Sequence, residues 1–195
     1  MCYTTPIVAF PSDKKGIIQV YNIDANKTTS EIKAAESHVA FVCLNEDGTL
    51  LATASEKGTL IRVFDLKNEG KLRKEVRRGS DRAEIYHLAF DNTGGFVTCS
   101  SDKGTVHIFG VGECEAGKSA LKSIGAYFKG ERSFAKFRMV GKAPKCAISD
   151  DKKLVVITKD GMYYVVEVDW TKGGESNMLD KKPLINDEVS DKKDK

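Results

Sequence analysis

Apolar residues along this chain fall in short runs, and most runs end at Gly, Asp or Asn. Helical spacing is scarce. Runs such as Leu51-Ala52-Thr53-Ala54-Ser55, Ile61-Arg62-Val63-Phe64 and Val106-His107-Ile108-Phe109 mix β-branched, aromatic and small residues. Bounded by turn residues, such runs predict short β-strands. The pattern predicts an all-β protein of hairpins.

The runs repeat. Val42-Cys43-Leu44-Asn45-Glu46-Asp47-Gly48 matches Leu88-Ala89-Phe90-Asp91-Asn92-Thr93-Gly94, and Ala54-Ser55-Glu56-Lys57-Gly58-Thr59 matches Ser100-Ser101-Asp102-Lys103-Gly104-Thr105. The period is roughly 46 residues, that of a four-stranded propeller blade. Fainter copies flank the pair at Ile7 to Tyr21 and Leu154 to Val168, and Gly16, Gly58, Gly104 and Gly161 mark equivalent hairpin turns. One such sheet cannot bury both faces alone, so neighbouring blades must stack. Three nearly complete blades and the last part of another are predicted, with Leu51 to Ser55 close to the propeller axis. Closed propellers use four to eight blades. The favoured reading is that N-terminal blades are absent from this chain; closure with four blades is the other.

Two segments break the pattern. Gly112 to Arg132 separates a third strand, Thr105 to Val111, from a fourth at Ser133 to Met139, and a loop of that length inside a compact repeat is commonly functional. Asp180 to Lys195 is rich in lysine and acid and reads as a disordered tail. The expected layout is a partial propeller over 1–170, an uncertain terminal segment over 171–179 and the tail over 180–195.

Composition narrows the roles. A net charge of +3 is mild, which argues against sequence-independent nucleic-acid binding. No signal sequence or spanning segment is expected. Five widely spaced cysteines without a C-x-x-C pair predict free thiols, a reducing cytoplasmic setting and no metal site. No nucleophile, base and orienting acid form a recognisable set, so the chain is not expected to be an enzyme and no cofactor is expected.

Useful positive charge must therefore be local, and Lys71 to Ser80 supplies it in an expected outer strand. Adjacent residues on a strand point to opposite sides, so Arg77 and Arg78 can each serve a separate anion pocket. One would face the blade carrying Ser55 and Thr59, the other the blade carrying Ser101, Thr105 and His107. The planar guanidinium matches phosphate oxygens, and hydroxyls add neutral donors. A basic outer strand that merely keeps a sheet edge soluble is the competing reading.

The blocks Leu50 to Phe64, Val76-Arg77-Arg78-Gly79 and Ser100 to Phe109, in that order, resemble the PROPPIN family, the WIPI type of phosphoinositide-binding WD-repeat propellers of autophagy. The resemblance covers about residues 5 to 170. It implies a seven-bladed ring, of which this chain supplies part of the fourth blade and the fifth to seventh. It also implies two headgroup pockets: Arg77 with Ser55 and Thr59, and Arg78 with Ser101, Thr105 and His107. The implied ligand is phosphatidylinositol 3-phosphate, with the 3,5-bisphosphate also accepted. Two positions depart from the family. Its motif phenylalanine is Val76 here, and the histidine of its Ala-His-x-Ser context is Ala35, with His38 three residues on.

The resemblance also implies that the long loop enters the bilayer. Gly112 to Arg138 holds six basic residues against three acids, and Lys122, Ile124, Tyr127, Phe128 and Lys129 are the expected membrane contacts. The expected role is a cytoplasmic protein, peripheral on autophagic or endosomal membranes, that recruits autophagy lipid-transfer or conjugation proteins. The alternative is a protein-interaction scaffold propeller without lipid binding.

Overall fold

The structure, a computed structural model, describes residues 6–112, 132–139 and 142–184. All regular elements among them are strands, arranged as four sheets. The first sheet holds β1 (Ile7–Pro11), β2 (Ile17–Asn22) and β3 (Lys27–Lys33). The second is a four-stranded meander of β4 (Val39–Leu44), β5 (Leu50–Ser55), β6 (Leu60–Asp65) and β7 (Lys71–Arg77). The third repeats it with β8 (Ile85–Phe90), β9 (Phe96–Ser101), β10 (Thr105–Gly110) and β11 (Ala135–Arg138). The fourth is β12 (Lys145–Ile148), β13 (Leu154–Ile157), β14 (Met162–Glu167) and β16 (Asn177–Pro183). Between β14 and β16 the chain crosses back, and β15 (Gly174–Glu175) joins the third sheet parallel to β11.

These are the predicted blades, referred to here as A to D. The four predicted turn glycines sit in the equivalent hairpins at positive φ. Among the described residues blade A holds no strand inside β1. The cores lie between the blades. Leu50, Ala52, Ala54, Ile61, Val63 and Val76 of blade B meet Ile85, Leu88, Val97, Cys99 and Phe109 of blade C. Val106, Ile108, Phe134, Ala135 and Phe137 of blade C meet Cys146, Leu154, Val156 and Val166 of blade D. On its other face blade B sets Leu51 and Phe64 against Ile7, Ile18 and Val20 of blade A, so the inner strands of blades B and C, each flanked on both sides, alternate between two packed faces. Cys43, Cys99 and Cys146 are free thiols packed in or beside these interfaces.

Two expectations need correction. Leu51 to Ser55 is not the strand nearest the axis: β4, β8 and β12 lie side by side there, with β1 against β4, and β5 is one strand further out. Small residues fill β5 because both of its faces are packed against neighbouring blades, with Leu51, Ala52 and Ala54 at 1% exposure or less. The tail does not begin at Asp180, because β16 runs to Pro183, paired with β14 from Glu167 opposite Asn177 to Met162 opposite Pro183. An outer strand exposed on both sides carries no apolar alternation, so its polar sequence mimics a tail.

Candidate functional site

Alternation on β7 separates the two arginines. Val76 is buried in the blade B–C core, which turns Arg77 to the blade A side and brings Arg78, just past the strand end, to the blade C side. Arg77 is exposed and Arg78 is 8% exposed. The backbone holds them at the hairpin: the Arg78 N–H donates to the Thr59 carbonyl at 2.9 Å, and that of Gly79 reaches the same oxygen at 3.4 Å.

Ser55 and Thr59 belong to the same sheet as Arg77, not to a neighbouring blade. Ala54 pairs with Ile61 and Leu60 with Arg77, so Ser55 stands level with Arg77, two strands away across Leu60. At sheet spacing that is about 9 to 10 Å. Thr59 is partly buried in the turn between β5 and β6. Arg62 stands on this face too, where its Nε meets Oε2 of Glu75 at 2.7 Å and its Nη1 donates to the Ala34 carbonyl at 2.9 Å. That pair clamps blade A onto blade B. Ala35 is buried beside Gly16, whereas His38 is exposed and its carbonyl accepts the Glu56 N–H at 3.0 Å.

The blade C side is built differently. The Nε of Arg78 donates to the Gly58 carbonyl at 2.7 Å and its Nη2 to the Asp81 carbonyl. Arg78 is thus a strut of its own loop as well as a cation, which strand alternation alone does not reveal. Carbonyls orient the guanidinium without cancelling its charge. Opposite it, Ser101 is buried and its Oγ faces the Lys103 N–H at 3.4 Å, while Thr105 and His107 are partly buried on β10. The His107 ring stacks on Phe109, with centroids 5.8 Å apart, and its Nδ1 has no hydrogen-bond partner among the described residues. Burial first, then the charges of Arg78 and Lys136, push the imidazole down to about 4, with Glu175 opposing them. His107 is therefore neutral near pH 7.

Register adds two cations that the strand reading did not place here. Thr105 pairs with Arg138 and His107 with Lys136, and cross-strand partners share a face. Ala135 and Phe137 point into the blade D core, so Lys136 and Arg138 project with Thr105 and His107 toward the blade B side. Their place on β11 separates them from the basic loop over Gly112 to Arg132. The expected membrane contacts Lys122, Ile124, Tyr127, Phe128 and Lys129 lie outside the described residues. Their flanks show that the loop leaves β10 and re-enters β11 at the end of blade C remote from Thr105 and Arg138. No group of three or more His, Cys, Asp or Glu residues is placed to hold a metal ion among the described residues. No helix there is long and apolar enough to cross a membrane.

Stacked meanders with equivalent hairpin turns, and cations with hydroxyls on equivalent faces of adjacent blades, define a WD-type β-propeller with a basic rim. The chain belongs to the PROPPIN family, whose model matches residues 3–130. It is 34% identical over 185 residues to "Autophagy-related protein 18e" of Arabidopsis thaliana, covering 90% of this chain and 49% of that protein. It is 33% identical over 176 residues to "Ectopic P granules protein 6" of Caenorhabditis elegans, covering 84% of this chain and 43% of the relative. The solved structure "Kluyveromyces lactis Hsv2 complete loop 6CD" superposes with a TM-score of 0.78 at 25% identity, over 94% of this chain and 61% of that one. The chain thus spans about half the length of the curated relatives it matches.

Proposed function

We propose that this chain is the headgroup-reading part of a peripheral membrane protein that binds phosphatidylinositol 3-phosphate, accepts the 3,5-bisphosphate, and brings autophagy lipid-transfer or conjugation proteins to autophagic or endosomal membranes from the cytoplasmic side. The observation that carries this reading is the pair of equivalent blade faces, one with Ser55 and Arg77, the other with Ser101, Thr105, His107 and Lys136 opposite Arg78. Hydroxyls beside planar cations suit a sugar phosphate better than a long polyanion. Family membership and the autophagy name of a relative support the cellular role.

Geometry also favours one orientation. Arg77 and Arg78 stand at one end of the strands, while the loop springs from the other end of β10, a six-residue strand about 20 Å long. A flat bilayer that meets both must run along the outer strands, so the propeller stands on its rim. Binding through two modest pockets and a loop then gains by avidity.

The test is flotation of the 195-residue chain with vesicles carrying phosphatidylinositol, its 3-phosphate or its 3,5-bisphosphate. The parent chain is expected to float with the two phosphorylated lipids only. Arg77→Thr is expected to float less than the parent, and Arg77→Thr combined with Arg78→Thr to stay behind, with circular dichroism reporting the fold of each. Equal flotation of parent and the double variant would remove the reading. Capture of autophagy proteins on lipid-free beads by both would favour the scaffold reading instead.

A further inference from the structure

The crossover strand β15 does more than tie blade D to blade C. Glu175 is paired in register with Lys136, which is paired with His107, so the three stand level on adjacent strands β15, β11 and β10 and share one face. That face is the one turned to Arg78. Glu175 Oε1 lies 3.0 Å from Lys136 Nζ and 3.9 Å from Arg138 Nε. A single carboxylate oxygen therefore stands between the two cations that flank Thr105 and His107.

We propose that Glu175 is a built-in competitor of the phosphate ligand, a carboxylate latch that an incoming headgroup must displace from Lys136 and Arg138. This rests on the reading of the blade B–C face as a phosphoinositide pocket. The latch is made to yield at the side chain and not at the backbone. The Gly174 N–H donates to the Phe134 carbonyl and the Ser176 N–H to the Lys136 carbonyl, each at 2.9 Å, so the strap stays seated. The Glu175 side chain is 55% exposed and can swing into water without uncovering a core. A phosphate monoester dianion carries the charge to replace it on both cations. A phosphodiester, with one negative charge spread over its oxygens, competes less well. Glu175 thereby raises the charge a ligand needs and biases the pocket toward phosphorylated inositol over ordinary anionic lipid.

The experiment compares the parent chain with Glu175→Gln and with Glu167→Gln, which makes the same change in net charge on the opposite face of blade D. Each is titrated with soluble inositol 1,3-bisphosphate and with vesicles of phosphatidylserine or phosphatidylinositol 3-phosphate. Glu175→Gln is expected to bind the soluble headgroup about two- to fivefold more tightly, the worth of a partly exposed ion pair, and to gain binding to phosphatidylserine vesicles. Glu167→Gln is expected to match the parent with the soluble headgroup. Equal tightening by both variants would make the effect one of overall charge and overturn the latch. Unchanged Glu175→Gln beside a parent that binds would overturn the latch and leave the pocket standing. Failure of all three proteins to bind would overturn the pocket and the latch together.

Discussion

Two hairpin glycines of the repeat allow the blade contacts to be weighed separately from backbone conformation. Gly58 and Gly161 occupy equivalent turns at φ of +62° and +76°. An alanine at either position bears the left-handed penalty of about 1 to 2 kcal/mol. At Gly161 that is the whole cost, because a Cβ there would meet nothing within 4 Å. At Gly58 the new Cβ would sit 2.0 Å from the Ala83 carbonyl oxygen, which must retreat by about 1 Å. Retreat is resisted on both sides. The Ala83 N–H donates to the Lys57 carbonyl at 3.1 Å, and the Gly58 carbonyl is the acceptor for Arg78 Nε. Overpacking of this kind adds about 1 to 3 kcal/mol, so Gly58→Ala should cost about 2 to 5 kcal/mol in all. With a urea slope of about 2 kcal/mol per molar, the unfolding midpoint should fall by about 0.5 to 1 M for Gly161→Ala. For Gly58→Ala it should fall by about 1 to 2.5 M. Equal midpoints for the two variants would refute the claim that the β7–β8 connection is pressed onto the Gly58 turn.

Two further outcomes follow from the same site. Arg78→Ala should lower stability by about 2 to 3 kcal/mol, because the Gly58 and Asp81 carbonyls lose a charged donor, whereas Arg77→Ala should stay within about 0.5 kcal/mol, as exposed substitutions do; thermal melts of the two variants check this, and matching melts would count against Arg78 as a strut. For His107 the folded pKa of about 4 lies below the ordinary 6.5. The unfolded chain therefore takes up the proton first. The contribution is complete above pH 6.5 and is lost as pH falls from 6.5 toward 4, by up to about 3 kcal/mol. Burial lowers His87 as well and adds to the same slope. Urea midpoints across that window should fall less steeply for His107→Gln than for the parent chain; parallel falls would sink the assignment.

The legible parts were those where a local rule and burial agree. Blades B and C could be read because their strands alternate between two packed faces and their turns demand positive φ. The opposite facing of Arg77 and Arg78 followed from pleat alone. What escaped depends on pairing between distant residues. β16 is exposed along both faces, so only its bonds to β14 make it a strand. β15 is two residues long and owes its place to the carbonyls of Phe134 and Lys136. Lys136 and Arg138 sit in the same short stretch as the loop cations, and only the register with β10 assigns them to the face of Thr105 and His107. The burial of Arg78 reflects two carbonyls that converge from the turn and the following loop, which no spacing in the sequence announces.

Duplication of a blade does not by itself duplicate a site. Arg62 pairs with Glu75 on blade B at the position where His107 pairs with Lys136 on blade C. On blade B the carboxylate lies within the meander and neutralises Arg62, whose Nη1 holds the Ala34 carbonyl. That row is committed to joining blades, and the rim cation of the face is Arg77, exposed and open to salt screening. On blade C the corresponding position is a cation, the histidine beside it is neutral, and the opposing carboxylate arrives from β15. Its other cation, Arg78, is buried, where screening is weak. Two blade faces that look like copies in the sequence therefore differ in electrostatic character. Anion binding at the blade B–C face should persist at ionic strengths that abolish it at Arg77.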